Sequence, residues 1–154
     1  MRKWCFLWLI VTLAACDSSR VFEEFRDLDT FWLAEETSTF VFEIEDASVS
    51  YNLVAHIRND ISYPYRNLYL NFILRSGADS VLKEELKQVQ LFEAKSGEPF
   101  GSGIGDQFNN EFLLEEEIKF SSGGAYEVDL QQFMRVDSLK GIQRIGLRVE
   151  KAEQ

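Results

Sequence analysis

Phe40, Phe42 and Ile44 alternate with Val41, Glu43 and Glu45, and from Tyr51 the set Tyr51, Leu53, Ala55 and Ile57 repeats the same period of two. Successive side chains of an extended chain point to opposite faces, so this period specifies strands that bury one face and wet the other. Strand candidates follow in steady succession: Thr39 to Glu45, Tyr51 to Arg58, Asn67 to Arg75, Ser80 to Leu86, Gln88 to Glu93, Phe112 to Phe120, Ala125 to Leu130 and Gln143 to Glu150. The pair between Ser80 and Glu93 also reads as one bent strand. Turn residues separate most of these runs, at Asp46-Ala47-Ser48, Ser76-Gly77-Ala78-Asp79, Lys95-Ser96-Gly97-Glu98 and Ser121-Ser122-Gly123-Gly124.

Thirteen Phe against two Pro and an aromatic content of 14% favour strands, on whose pleated surface flat rings pack. The best helical stretch is Leu130 to Leu139, where Leu130, Phe133, Met134 and Val136 line one side of a turn or two. About eight short strands with so little helix predict an all-β fold, an antiparallel β-sandwich of jelly-roll type. A closed barrel is the alternative.

The chain starts differently. Met1-Arg2-Lys3 leads into an apolar run, Trp4 to Leu13, which ends in small residues and reads as an export signal. Crossing a bilayer takes about 20 apolar residues, and Asp17, Ser18, Ser19 and Arg20 stop this run short of that. The junction Leu13-Ala14-Ala15-Cys16 resembles the bacterial lipobox, in which the cysteine receives a diacylglycerol and becomes the acylated new amino terminus. Each buried methylene contributes about 0.8 kcal/mol, so several chains on Cys16 anchor firmly where one binds reversibly. Residues 1–15 are therefore expected as a cleaved lipoprotein signal peptide, 16–33 as a tether docked in part through Val21, Phe22, Phe25, Phe31 and Trp32, and 34–154 as the sandwich domain.

Cys5 leaves with the signal and Cys16 is consumed by lipid, which leaves the mature domain without a thiol or a disulfide. Loss of Arg2 and Lys3 leaves 14 basic against 26 acidic side chains, a net charge of about −12. Such a surface repels a phosphate backbone, so no nucleic-acid partner is expected.

Catalytic sets are hard to assemble. His56 is the sole histidine, and strand parity puts it with Asn52, Val54 and Arg58, opposite Tyr51, Leu53 and Ile57. Zinc sites of the usual nitrogen and sulfur ligands need more partners than one histidine, and no Gly-x-Ser-x-Gly nucleophile elbow occurs. Glu115-Glu116-Glu117 reads as a polar stretch, with an exposed edge or a calcium site as lesser readings, because consecutive strand residues point to opposite faces. The loop Gly97 to Asn110 lacks the Gly-Lys-Ser/Thr ending of a phosphate loop and reads as a tight connection or a contact surface. Tyr63-Pro64-Tyr65 is either a binding ridge or a stiff lead-in to a strand.

The lipobox at Cys16, Arg58-Asn59 leading to Tyr63-Pro64-Tyr65-Arg66-Asn67-Leu68-Tyr69-Leu70, and Gly103-Ile104-Gly105-Asp106 together resemble the gliding motility lipoprotein family GldH. The ending is closest, with Gly124-Ala125-Tyr126, Gln132, Met134-Arg135, Leu139-Lys140-Gly141-Ile142 and Ile145-Gly146-Leu147-Arg148-Val149-Glu150-Lys151. The resemblance covers nearly the whole mature chain through the order and spacing of these pieces. It implies a non-catalytic, lipid-anchored envelope component of the gliding machinery and its associated adhesin secretion, acting through protein contacts, in the outer membrane facing the periplasm. It implies no cofactor and no metal. Tyr63, Tyr65, Asp106 and Arg135 are the candidate contact residues. The alternative function is a lipid-anchored carbohydrate-binding module presenting Tyr63, Tyr65 and Tyr69 to sugars.

Overall fold

The computed structural model describes residues 19–77 and 80–153. The signal peptide and Cys16 lie outside the described residues, as do Ala78 and Asp79 of the expected Ser76–Asp79 turn. Eight long strands carry the fold: β1 (Arg20–Asp27), β3 (Thr37–Ile44), β4 (Tyr51–Asp60), β5 (Asn67–Ser76), β6 (Ser80–Gln90), β8 (Gln107–Ile118), β9 (Gly124–Gln132) and β11 (Ile142–Lys151). Three short strands of three residues each lie between them: β2 (Phe31–Leu33), β7 (Ser102–Ile104) and β10 (Ser138–Lys140).

All pairings are antiparallel. One sheet has the order β1-β11-β4-β8-β7, the other β3-β9-β5-β6, and β2 pairs with β10 alone. Counting only the eight long strands in chain order, the sheets run first-eighth-third-sixth and second-seventh-fourth-fifth. That is the jelly-roll order, in which each link from one sheet to the other crosses an end of the sandwich.

The period-two pattern explains the core. Phe40, Phe42 and Ile44 of β3, Leu68, Leu70, Phe72 and Leu74 of β5, and Val128 and Leu130 of β9 are buried from one sheet, and Leu53, Ile57, Ile145, Leu147 and Val149 meet them from the other. At one end Phe120 packs against Phe42, Tyr51 and Tyr126 at ring-centroid distances of 6.1, 5.7 and 4.4 Å. Such aromatic pairs add about 0.5–1.5 kcal/mol each beyond their area burial.

Several local expectations change. The Leu130–Leu139 stretch is no helix: β9 runs to Gln132, and the chain then bends into β10. Gln132 is the cause, because its side-chain oxygen accepts the Met134 N–H at 2.8 Å while its amide donates to the Val136 carbonyl at 3.1 Å. A side chain that satisfies the backbone this way offers it an alternative to helical bonding. Ser80–Gln90 forms one strand, with a register shift opposite it between Leu74 and Arg75. Residues 20–27, within the expected tether, form β1 in register with β11, and Trp32 is fully buried with its indole N–H donated to the Glu36 carbonyl at 3.1 Å.

The strands are aligned closely enough to give the sandwich two ends. Ser19, Ser50 and Lys151 meet at the proximal end, where the Lys151 N–H donates to the Ser19 carbonyl and the Ala152 N–H to the Ser50 carbonyl. The links 61–66, 91–101 and 133–137 all lie at the distal end, as the strand directions require. A ten-residue strand such as β4 separates the two ends by about 30 Å, at about 3.3 Å per residue.

Candidate functional site

The distal end carries a groove of about 580 Å³ between Tyr65, Tyr69, Leu86, Phe133, Met134 and Arg135. It lies beside β6, the edge strand of the four-stranded sheet. Two of the four candidate contact residues, Tyr65 and Arg135, line it together. Leu86, Phe133 and Met134 had no such role in the sequence reading.

Both loops that form the groove are held from behind. In the β4–β5 link, the Asp60 carboxylate accepts the Ser62 N–H at 2.7 Å, and the Asp60 N–H donates to the Gly141 carbonyl at 2.9 Å. Tyr63 is only 5% exposed, stacks on Phe92 at 6.4 Å and donates its hydroxyl to the Asn67 carbonyl at 2.8 Å. Burial pushes its phenol pKa far above the ordinary tyrosine range. Tyr63 is thus a pillar of the loop and offers no contact surface, contrary to its place among the expected contact residues. Tyr65 stands edge-on against it, at 5.9 Å and 76°, and reaches solvent with 38% exposure.

The opposite wall follows β9. The Phe133 N–H donates to the Tyr69 carbonyl at 2.8 Å, and the Tyr69 N–H points at the Met134 sulfur at 3.4 Å. This reciprocal pair fixes Met134 in the floor and leaves the Phe133 ring 59% exposed. Arg135 is exposed at the mouth with no ion-pair partner among the described residues. A flat sugar platform does not form, because Tyr63 is buried and its ring is nearly perpendicular to that of Tyr65.

Asp106 does not share this groove. It sits in the turn between β7 and β8, where its carbonyl accepts the Ile61 N–H at 3.1 Å. Around it lies a second exposed apolar set at the same end of the molecule, Ile61, Phe100 and Ile104, the last 95% exposed.

The outer face of the five-stranded sheet holds the sole histidine as strand parity requires. His56 has Glu111 at 3.6 Å and Glu23 at 3.9 Å, with the Phe25 ring set against it edge-on at 5.3 Å. Burial lowers its pKa, and Glu111 and Glu23 act in the opposite direction. Arg148 meets Glu111 at 2.9 Å and Glu150 at 2.9 Å, and Arg144 meets Asp27 at 2.5 Å, so the charges here are largely paired among themselves. Glu115, from the acidic run on β8, is taken up by Lys83 at 2.7 Å and Lys87 at 3.3 Å. Among the described residues no three His, Asp or Glu side chains converge as metal ligands.

Comparison with known proteins follows the same outline. The family model described as GldH lipoprotein matches residues 20–149, from the first residue of β1 nearly to the end of β11. The gliding motility lipoprotein GldH homolog of Christiangramia forsetii is 29% identical, over 96% of this chain and 94% of that protein. The gliding motility lipoprotein GldH of Flavobacterium johnsoniae is 27% identical, over 93% of this chain and 92% of that protein. A match that spans all eight long strands of the jelly roll leaves one assignment: the chain belongs to the GldH lipoprotein family.

Proposed function

We propose that this protein is a lipid-anchored, non-catalytic component of the gliding machinery of the cell envelope, attached through Cys16 and acting by protein contact at its distal end. The observation that carries the reading is the separation of the two ends. Arg20 enters the sheet four residues after Cys16, a reach of at most about 14 Å at 3.6 Å per residue. The groove with Tyr65 and Arg135 lies at the other end of strands about 30 Å long. A lipid on Cys16 therefore holds the proximal end against the bilayer and presents the groove away from it. The outer membrane, with the domain facing the periplasm, is the proposed location, and the assembly that moves and secretes surface adhesins is the proposed partner.

Deleting the gene in a gliding bacterium should stop colony spreading, and spreading that continues with an intact envelope would sink the reading. Cys16→Ala should release the folded domain from the membrane fraction while its thermal melt stays unchanged.

A further inference from the structure

On the opposite face of the sandwich from the groove, the outer side of the five-stranded sheet carries a second pocket of about 340 Å³. We infer that this pocket binds one unit of an acidic sugar, whose carboxylate bridges Arg58 and Arg144 and whose hydroxyls donate to Glu23 and Glu111. The site goes beyond the contact reading above and does not depend on it.

Four of the eight arginines that follow Cys16 line this pocket, Arg20, Arg58, Arg144 and Arg148, on a chain of net charge −10. Glu23 and Glu111 are the carboxylates in the lining; Asp27 and Glu150, which also pair with these arginines, lie outside it. Arg20 meets Glu23 at 2.6 Å and Arg148 meets Glu111 at 2.9 Å. Arg58 has no carboxylate partner among the described residues, and its Nε donates to the Asn109 side-chain oxygen at 2.7 Å.

Register sets Arg58 against another cation. It is the direct partner of Arg144 across β4 and β11, and like charges opposed in this way destabilise a sheet. Each guanidinium is fixed through its Nε, Arg58 on Asn109 and Arg144 on Asp27. Among the described residues neither uses its terminal nitrogens in a hydrogen bond. Two guanidinium groups on neighbouring strands, anchored from behind with their terminal N–H groups unspent, form a cradle for one carboxylate. A local conflict of this kind is expected where a ligand resolves it.

The same pocket holds further unused polar capacity. His56 Nε2 and Arg148 Nε are the buried side-chain polar atoms without a hydrogen-bond partner among the described residues, the latter meeting Glu150 only as an ion pair. The acceptors nearest the imidazole, Glu111 at 3.6 Å and Glu23 at 3.9 Å, are beyond hydrogen-bond range. Buried polar groups are rarely unsatisfied, and two in one pocket mark it as built for a further polar partner.

The lining also selects the ligand. About 340 Å³ suits a single sugar unit, at the small end of ligand pockets, which run from about 300 to 1,000 Å³. Glu23 and Glu111 accept hydroxyl protons and repel a phosphate monoester, which carries about −1.5 to −2 charges near neutral pH. An acidic side chain of a protein brings the carboxylate but offers those glutamates no donor. Phe25, 43% exposed and edge-on to His56 at 5.3 Å, supplies an apolar wall for the C–H face of a sugar ring.

The test titrates the lipidated full chain in nanodiscs with galacturonate and glucuronate, with their neutral parents galactose and glucose, with inorganic phosphate, and with a glutamate-containing peptide. At least one of the two acids should bind with a Kd of about 1 mM, as a ligand of that size allows. Backbone amide shifts should be confined to residues 56–58, 109–111 and 144–148. The neutral sugars, phosphate and the peptide should each bind about tenfold more weakly or worse. Arg58→Gln and Arg144→Gln should each weaken the acid about tenfold with the rest of the spectrum unchanged, while Lys95→Gln leaves binding as it was. An oligogalacturonate arm identifies the source: binding tighter than the monomer assigns a polymer, equal binding a free acid, and both uphold the site. Neither acid binding at about ten times the expected constant, neutral sugars binding equally well, preference for phosphate or peptide, shifts elsewhere, or indifference to both arginine substitutions overturns the inference. Such a failure leaves the motility reading standing, since that reading is decided by colony spreading.

Discussion

Gly141 lies so close to the backbone of Tyr63 that a Cβ added to it would sit 2.5 Å from the Tyr63 nitrogen. Its φ of +81° is itself one that side-chain-bearing residues avoid. Gly141→Ala should therefore destabilise the domain by about 3 kcal/mol, combining left-handed strain with displacement of the β4–β5 link. Urea unfolding at neutral pH reads this directly, and a loss under about 1 kcal/mol would contradict the packing described.

Tyr63 and Tyr65 separate a supporting from a contacting role. Tyr63→Phe removes one partly buried hydrogen bond and should cost about 1 kcal/mol of stability, without altering partner binding. Tyr65→Ala should leave the melt within about 0.5 kcal/mol of the parent, as exposed positions do, and should weaken partner binding at the groove. Reversed outcomes in the two assays would mean that the wrong ring has been placed at the surface.

Inside the sandwich, the Asn110 amide donates to the Asn59 side-chain oxygen at 2.8 Å, and both residues are buried. Asn110→Leu strands a buried polar partner and should cost about 1–3 kcal/mol. Replacing both with leucine should recover part of that loss, giving a non-additive double-mutant cycle. Additive losses would show that the two amides do not depend on each other.

How much of this was readable beforehand varied with burial. Phe40, Phe42 and Ile44 disclosed β3 because a buried face imposes the period, and His56 fell on its predicted face for the same reason. β1 escaped: it is an edge strand largely open to solvent, and a register shift between Arg20 and Phe22 breaks its alternation. β6 read either as two strands or as one bent strand, since neither of its faces is buried along most of its length. Tyr65 and Arg135 were named through the family resemblance, whereas Leu86 and Phe133 join them only when β6 and the β9–β10 link fold to the same end. Phe133 and Met134 had looked like a helical stripe, and no sequence period signals the Gln132 bonds that turn the chain there.

His56 gives the domain a pH response whose sign is fixed. Its folded pKa is lowered by burial, with Glu111, Arg148, Glu23 and Arg20 the charged groups around it. Just below about 6.5 the unfolded chain binds a proton that the folded chain refuses, so stability rises with pH across that window. The contribution is complete above about 6.5 and is lost as pH falls through the folded value. Urea midpoints measured between pH 5.5 and 7.5 should rise in the parent and stay flatter in His56→Gln. Equal slopes would place the imidazole in solvent.

Force gives β1 a further meaning. A pull on the amino-terminal end travels along the axis of β1, whose pairing with β11 extends from Arg20 opposite Glu150 to Asp27 opposite Arg144. Load applied along a strand strains the bonds of its ladder together, in shear, whereas load across a strand opens them one at a time. The domain is consequently gripped at its amino-terminal end by a mechanical clamp, which can transmit tension between that end and the distal groove without unzipping.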